Sequence, residues 1–279
     1  MSGDKGLPGS FAGLPLDEPR LMGIINVTPD SFSDGGETLT PADAVARGQA
    51  MVEDGAHILD VGGESTRPGA APVDAAEEVK RVAPVVEGLA GLGTPISIDS
   101  RRADVMRAAL RAGASIVNDV TALTSDPEAL GVVAESGASV VLMHMQGEPG
   151  SMQDDPRYDD APAEVFGYLR DRVAACEAAG ISRGRIAVDP GIGFGKTIEH
   201  NIQILSRLDL YRDLGYPVMI GVSRKSFIAK IDRDQPPKAR VAGSLAATLA
   251  ALGQGVRLFR VHDVAETRQA LAVWRAIEA

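Results

Sequence analysis

The chain has 279 residues, of which 44% are hydrophobic and 24% are charged, as expected for a soluble globular protein of one or two domains. Its formal net charge of -10 argues against nucleic acid or an anionic membrane as a main partner, because both require a basic surface. The one cysteine, Cys176, excludes a disulfide within the chain, and its helical context predicts a structural thiol.

The amino-terminal stretch has no apolar segment of the kind that a signal peptide requires, and no run approaches the roughly 18 apolar residues of a membrane span. A cytoplasmic protein is therefore the default expectation. Residues 1–19 are rich in Gly and Pro, and we expect them to form a flexible lead-in. Residues 20–279 show no linker or composition shift, which predicts a single domain.

Short apolar runs rich in β-branched residues recur along the chain. They span residues 21–26, 57–62, 95–99, 115–119, 139–144, 185–189, 217–222 and 256–261. Most are nearly continuous rather than alternating, which is typical of parallel strands that are buried on both faces.

Helical patterns lie between these runs. Thr40 is a predicted N-cap followed by Pro41, and Gly55 suits the end of that helix. A second pattern ends at Gly113, and a last helix closes the chain. Eight strands that alternate with helices predict a closed (β/α)8 TIM barrel. A doubly wound open sheet is the alternative, but no Gly-rich dinucleotide fingerprint follows the first strand.

Polar side chains follow the carboxyl end of every predicted strand. They are Asn26, Asp60, Asp99, Asn118, Asp119, His144, Asp189, Ser223, Arg224, Lys225, Arg260 and His262. In a barrel these ends meet at one mouth, where active sites are built. A single Asp after a strand is often a capping residue, and Asp119 and Ser223 are the first candidates for that role.

The polar residues fall into two chemical sets. Asp99, Asn118 and Asp189 offer acceptors and amide groups that suit a planar heterocycle with several N–H donors. The second set suits a phosphate or pyrophosphate, alone or with Mg²⁺, and comprises Asn26, Arg67, Arg260 and His262.

The segment "DPGIGFGKT" is similar to a phosphate-binding P-loop. That pattern requires glycine at position 190, where Pro190 stands, and the segment follows the sixth strand rather than the first. We therefore reject nucleotide binding of this type. The four histidines have no zinc-ligand spacing, so a zinc site is not expected.

The chain resembles the bacterial dihydropteroate synthases of folate biosynthesis, from about residue 21 to 275. The motifs that carry the resemblance are "GIINVTPDSFSDGG", "ILDVGGESTRPGA", "ISIDS", "IVNDV", "VLMHMQG", "DPGIGFGK", "GVSRKS" and "RVHDV". In the loop "QGEPGSMQDDPRYDD", Glu148 and Gly150 depart from the pattern of the family.

The resemblance implies that 7,8-dihydropterin-6-ylmethyl diphosphate condenses with 4-aminobenzoate to give 7,8-dihydropteroate and pyrophosphate. Its catalytic residues would be Asp99, Asp189, Lys225 and Phe32. Pterin would contact Asp99, Asn118, Met143, Asp189 and Lys225. The diphosphate would contact Asn26, Arg67, Arg260 and His262. The aminobenzoate would lie near Phe32, Thr66, Pro68, Phe194, Lys225 and Ser226.

The same resemblance implies Mg²⁺ at Asn26, a homodimer formed through helices late in the chain, and inhibition by sulfonamides. Within residues 26–36, Asn26 would be fixed at the strand end, and the remainder would be a mobile cover that carries Phe32. Two other functions are weighed against the synthase. A corrinoid-linked methyltransferase domain would keep the pterin set but would not use Arg67, Arg260 and His262. A non-catalytic paralogue would have lost part of these residues.

Overall fold

The computed structural model describes residues 8–28, 40–65 and 73–278. The strands are β1 Ser10–Phe11, β2 Leu14–Pro15, β3 Arg20–Asn26, β4 Ile58–Gly62, β5 Ile96–Asp99, β6 Ile116–Asp119, β7 Ser139–Met143, β8 Ile186–Asp189, β9 Met219–Ile220 and β10 Leu258–Val261. The α-helices are α1 Pro41–Asp54, α2 Ala75–Leu89, α3 Ala103–Ala112, α4 Ala129–Ser136, α5 Ala161–Ala178, α6 Ile198–Leu205, α7 Asp209–Arg212, α8 Ser226–Ile231, α9 Val241–Gly253 and α10 Val264–Glu278.

Among the described residues, eight parallel strands form one sheet in the order β8-β7-β6-β5-β4-β3-β10-β9. A parallel bridge between Val188 and Val218 joins the two end strands, and the Val188 amide donates to the Pro217 carbonyl at 2.9 Å. The sheet therefore closes into a barrel, with the helices outside it. The predicted TIM barrel is confirmed, and the doubly wound alternative is wrong.

Each predicted strand overlaps an observed one, and the largest difference is at β9. The prediction spans residues 217–222, whereas the strand is limited to Met219–Ile220. Proline has no N–H to donate to a strand partner, which limits the pairing at Pro217.

The predicted helix ends are also confirmed. Thr40 caps α1 through a capping box with Asp43, in which each side chain bonds the backbone of the other residue. Gly55 ends α1 with φ 107° and Gly113 ends α3 with φ 119°, both in the left-handed region that favours glycine. These caps fix where the chain leaves each helix and enters the next strand.

The amino-terminal end of the barrel is filled from inside. A buried cluster comprises Phe11, Met22, Ile58, Ile116, Val141, Ala187, Met219 and Leu258. Most of these residues begin a strand or lie next to its beginning, whereas Phe11 belongs to the β1–β2 hairpin and is 0% exposed. The predicted flexible lead-in, residues 1–19, therefore contains a packed hairpin; residues 1–7 lie outside the described residues.

The larger core lies between the barrel and the helices, and Trp274 packs against it. Cys176 is buried there, and burial raises the pKa of its thiol to about 11, as suits the predicted structural role. Over the described ranges, none of the helices has the length and apolar character needed to cross a membrane.

Candidate active site

The strand register brings predicted site residues to one level at the carboxyl end of the barrel. Asn26 pairs with Gly62, Gly62 with Asp99, and Asp99 with Asn118. Farther around the barrel, Met143 pairs with Asp189. The closed parallel sheet therefore places these side chains around one mouth, as the sequence predicts.

Arg260 lies between two carboxylates inside this mouth. Its Nε donates to Asp60 Oδ2 at 2.6 Å, and its Nη2 donates to Asp99 Oδ2 at 2.7 Å. The amide of Asn118 also donates to Asp60 Oδ2, at 3.3 Å. The guanidinium predicted for the diphosphate thus lies against the acceptors predicted for the pterin.

Asp60 was among the polar residues predicted at the strand ends, but neither of the two chemical sets included it. Its side chain is 0% exposed, and Oδ1 has no hydrogen-bond partner within the described ranges. Since aspartate is rarely buried unless it is paired, a charged residue inside the apolar run "HILDVG" was the available signal.

The pKa of Asp99 is raised to about 7, mainly by burial. Arg260 opposes this shift because its positive charge favours the carboxylate, whereas the negative charge of Asp60 adds to it. Asp99 therefore titrates near neutral pH. That property makes its hydrogen-bonding role dependent on pH in the physiological range.

Asp189 and Lys225 form the second charged part of the mouth. Asp189 is 3% exposed and accepts from the Gly191 amide at 2.7 Å. Burial raises the pKa of Asp189, and the nearby Lys225 opposes that shift. The pKa of Lys225 is lowered to about 8, also mainly by burial.

The structure brings Lys225 together with Phe194, as the predicted aminobenzoate subsite requires. Lys225 Nζ lies 4.5 Å from the centre of the Phe194 ring and donates to the Ile192 carbonyl. A cation over an aromatic face is attracted by the ring quadrupole. Ser226, the next residue, begins α8 and is exposed.

His262 lies beside the same mouth and bonds Ser223. The distance from its Nδ1 to Ser223 Oγ is 3.0 Å. Burial first, and then the positive charges of Arg260 and Arg224, lower the pKa of His262 to about 3. The imidazole is thus neutral at pH 7. Through His262, Ser223 links the chain after β9 to the chain after β10.

Asp119 has the capping role that was expected of it. It is fully buried and accepts from the Thr121 amide and hydroxyl, both at 2.7 Å, and from the Leu123 amide at 2.9 Å. Its two oxygens are therefore engaged by the turn that follows β6. This strand-end carboxylate therefore serves structure, whereas Asp99 bonds Arg260 and Asp189 bonds the Gly191 amide.

Asn26 ends β3 at the rim of the mouth and is partly exposed. No group of three or more His, Cys, Asp or Glu side chains that could hold a metal occurs in the parts of the chain that the structure describes. Mg²⁺ commonly keeps several waters and binds through one or two protein oxygens plus substrate phosphates. A single amide oxygen at the rim fits that mode.

Four predicted site residues lie outside the described residues: Phe32, Thr66, Arg67 and Pro68. The mobile cover predicted for residues 27–36 lies mostly outside them as well. Of the two residues that depart from the family's pattern, Glu148 accepts from Arg101 at 3.4 Å, and Gly150 lies in an exposed turn. Among the described residues, neither bonds a residue of the mouth.

A family model described as "Pterin binding enzyme" matches residues 22–262. Among curated relatives, the dihydropteroate synthase of Escherichia coli (strain K12) is 48% identical over 264 residues, covering 94% of this chain and 93% of the relative. A match of this length and identity favours the synthase over the methyltransferase alternative.

Solved structures give the same result. The Xanthomonas albilineans dihydropteroate synthase with 4-aminobenzoic acid has a TM-score of 0.89 and 51% identity, with 95% of each chain covered. Its complex with 7,8-dihydropteroate has a TM-score of 0.86 and 48% identity, covering 95% of this chain and 96% of that one. The Yersinia pestis enzyme in a sulfonamide drug complex has a TM-score of 0.91 and 43% identity, with the same coverages of 95% and 96%. The chain belongs to the pterin binding enzymes, in the dihydropteroate synthase family.

Proposed function

We propose that the chain condenses 7,8-dihydropterin-6-ylmethyl diphosphate with 4-aminobenzoate, giving 7,8-dihydropteroate and pyrophosphate. The observation that carries this proposal is the set of Asp99, Asn118 and Asp189 at the mouth of the barrel, with Lys225 and Arg260 beside it; Asn118 and Asp189 are buried, and the Asp99 side chain is 15% exposed. In a member of the dihydropteroate synthase family, these are acceptors and cations suited to a pterin that carries a diphosphate.

The pterin ring is held by Asp99, Asn118, Met143, Asp189 and Lys225. A buried carboxylate that accepts two parallel N–H bonds recognises an aminopyrimidinone edge by both shape and charge. Asp189 suits this role because its side chain is buried at the mouth, where Oδ1 accepts from the Gly191 amide. The Met143 side chain is 5% exposed and offers an apolar surface next to it.

The reaction begins when the bond between the methylene carbon and the diphosphate oxygen breaks and its electron pair leaves with the diphosphate. The positive charge that remains is delocalised over the electron-rich pterin. The carboxylates of Asp99 and Asp189 stabilise that charge in a site from which water is largely excluded. The amine nitrogen then bonds the methylene carbon and loses a proton. The amine is neutral at pH 7, so no strong base is required.

The departing diphosphate is received by Asn26, Arg67, Arg260 and His262. Arg260 uses Nε and Nη2 for the two carboxylates, so Nη1 is the nitrogen that we assign to the diphosphate. Mg²⁺ held with Asn26 would offset the negative charge that develops on the leaving group. Arg67 lies outside the described residues, and its role rests on the family.

The aminobenzoate lies against Phe32, Thr66, Pro68, Phe194, Lys225 and Ser226. Lys225 and Phe194 are already in contact, which supports a subsite for an aromatic acid with a cation and a ring together. Sulfonamides are expected to compete there, as the Yersinia pestis complex suggests.

The reaction itself is the test. Purified protein with the pterin diphosphate, 4-aminobenzoate and Mg²⁺ should release pyrophosphate in step with 7,8-dihydropteroate, and omission of either organic substrate should stop release. Folded protein that gives no release above the blank would refute the proposed function.

We also propose a homodimer in the cytoplasm. An apolar groove of about 270 Å³ between α9 and α10 is lined in part by Leu245, Leu249 and Trp274. Two further residues that line the groove are exposed, Val273 by 55% and Ile277 by 75%. Exposed apolar side chains beside a groove are typical of an interaction surface, and a second copy of the chain fits the family.

A further inference from the structure

In the segment Asp189–Lys196, "DPGIGFGK", several side chains donate hydrogen bonds to the backbone. The reaction proposed above uses only two of its residues, Asp189 and Phe194. Four consecutive carbonyl groups in it each accept from a different side chain: Ile192 from Lys225, Gly193 from Gln153 at 2.5 Å, Phe194 from Lys196 at 3.0 Å, and Gly195 from Tyr158 at 2.8 Å. A segment in which four consecutive carbonyls are engaged in this way is constrained rather than free.

The glycines let this segment pack closely against the loop that follows β7. Gly191 and Gly195 have φ of 71° and 60°, in the left-handed region. A Cβ at Gly191 would lie 1.9 Å from the His144 carbonyl oxygen, and one at Gly195 would lie 2.4 Å from the Gln146 carbonyl oxygen. The glycines therefore serve close backbone packing and not phosphate binding.

Lys196 is the last residue of the segment and is 3% exposed. Its Nζ contacts three acceptors, namely the Phe194 carbonyl, His144 Nδ1 at 2.9 Å and the His144 carbonyl at 3.4 Å. Burial lowers the pKa of His144 to about 2, so its ring is neutral and Nδ1 can accept. Lysine is almost never fully buried unless it is paired, and these three contacts supply the pairing, although burial lowers the pKa of Lys196 well below its usual value.

We infer that Lys196, Tyr158 and Gln153 are positioning residues that hold the backbone of residues 193–195 and so fix Phe194 against 4-aminobenzoate. This inference rests on the proposed function. The three side chains act through the loop and do not touch the reacting atoms. Fixed geometry at the nucleophile matters because small misplacements cost affinity and rate. Loosening the loop should therefore affect aminobenzoate more than pterin.

Lys196, Tyr158 and Gln153 together form a clamp on this segment. The test compares two clamp variants with two controls. Tyr158→Phe and Gln153→Ala each remove one hydrogen bond to the loop. Tyr211→Phe removes the same kind of bond elsewhere, to the Pro162 carbonyl at 3.2 Å. Gln254→Ala is a more severe control, because the Gln254 amide donates to the carbonyls of Leu205 at 2.7 Å and Ala250 at 3.3 Å and accepts from the Leu208 amide at 2.8 Å. Pyrophosphate release is measured at saturating pterin diphosphate with 4-aminobenzoate varied, and pterin affinity is measured by calorimetry.

Each clamp variant should raise KM for 4-aminobenzoate about fivefold, the equivalent of one hydrogen bond, with pterin affinity within about twofold of wild type. The controls should keep the wild-type KM for 4-aminobenzoate and the wild-type pterin affinity. They should lose at least as much thermal stability as the clamp variants. Lys196→Met should give a larger rise in the KM for 4-aminobenzoate. If the Lys196→Met protein does not fold, Tyr158→Phe is the variant that tests the inference.

Equal KM values in Tyr158→Phe and Tyr211→Phe, with an active wild type, would overturn the clamp and leave the proposed function intact. Equal losses for aminobenzoate and pterin would also overturn it, since a general loosening of the barrel would then explain both. An inactive wild type would instead refute the reaction itself.

Discussion

At the scale of single residues, the site depends on which charge lies next to which. The buried carboxylate of Asp60 and the partly buried carboxylate of Asp99 share one guanidinium, and Arg260 offsets the electrostatic cost of placing them together. The same arrangement leaves Asp99 with a pKa of about 7. Small changes in local charge should therefore alter what Asp99 can bind near neutral pH.

We expect pterin affinity to rise as the pH increases from 6 to 8. The folded pKa of Asp99 lies above its ordinary value, so the group is protonated below about pH 7 and ionised above it. Only the ionised form accepts two N–H bonds, and the affinity should change by up to about tenfold per pH unit below the pKa. Calorimetry with the pterin ligand across this range measures the effect.

Asp99→Asn should lower pterin affinity and flatten its pH dependence. Asp104→Asn, which changes an exposed carboxyl on α3, is the control and should keep the wild-type profile. A wild-type affinity that does not change between pH 6 and 8 would contradict this role of Asp99.

Asp189→Asn should weaken pterin binding by about 2 kcal/mol or more, because a buried charged acceptor is replaced by a neutral amide. Asp119→Asn is the matched control, since Asp119 is an equally buried strand-end carboxylate whose partners all belong to its own turn. It should lose about 1–3 kcal/mol of stability and keep the pterin affinity. Similar pterin losses in both variants would mean that the Asp189 assignment is wrong.

At the scale of elements, the amino-terminal hairpin closes the end of the barrel opposite the site. The turn residues Ala12 and Gly13 both have positive φ, and they place Phe11 inside the barrel. This aromatic ring fills space that the strand side chains leave open. The hairpin is thus part of the core although it precedes the barrel in sequence.

Phe11→Ala should lower the free energy of unfolding by about 3–5 kcal/mol, the usual range for losing a buried aromatic ring. Urea unfolding measures the loss, and kcat of the folded fraction should stay at the wild-type value because the site lies at the other end. Leu14→Ala, at a partly buried position of the same hairpin, should cost clearly less. Equal losses would indicate that Phe11 does not close the barrel.

At the scale of the whole molecule, α9 and α10 present the apolar surface that we assign to a second copy. Ile277→Asp should place a charge in that surface and yield a monomer, as measured by light scattering after size-exclusion chromatography. Ile231→Asp, on α8, is the control because Ile231 is 58% exposed away from the groove. A wild type that is monomeric at micromolar concentration would refute the dimer.

The sequence by itself determined the barrel, because strands that are buried on both faces appear in the sequence as nearly continuous apolar runs. It also determined which side chains meet at the mouth, since the direction of every parallel strand places its last residue at the same end. The long motifs, in their order, determined the family.

Only the tertiary structure decided how those side chains pair. Arg260 bonds Asp60 and Asp99 across 200 and 161 positions of sequence, and a pattern of neighbours along the chain cannot encode such a contact. The same holds for Phe11 inside the barrel and for Lys196 against His144, which is 52 positions away in sequence. In each case the closed barrel determines which groups are adjacent, because a buried charge or ring can contact only the groups that the fold places around it.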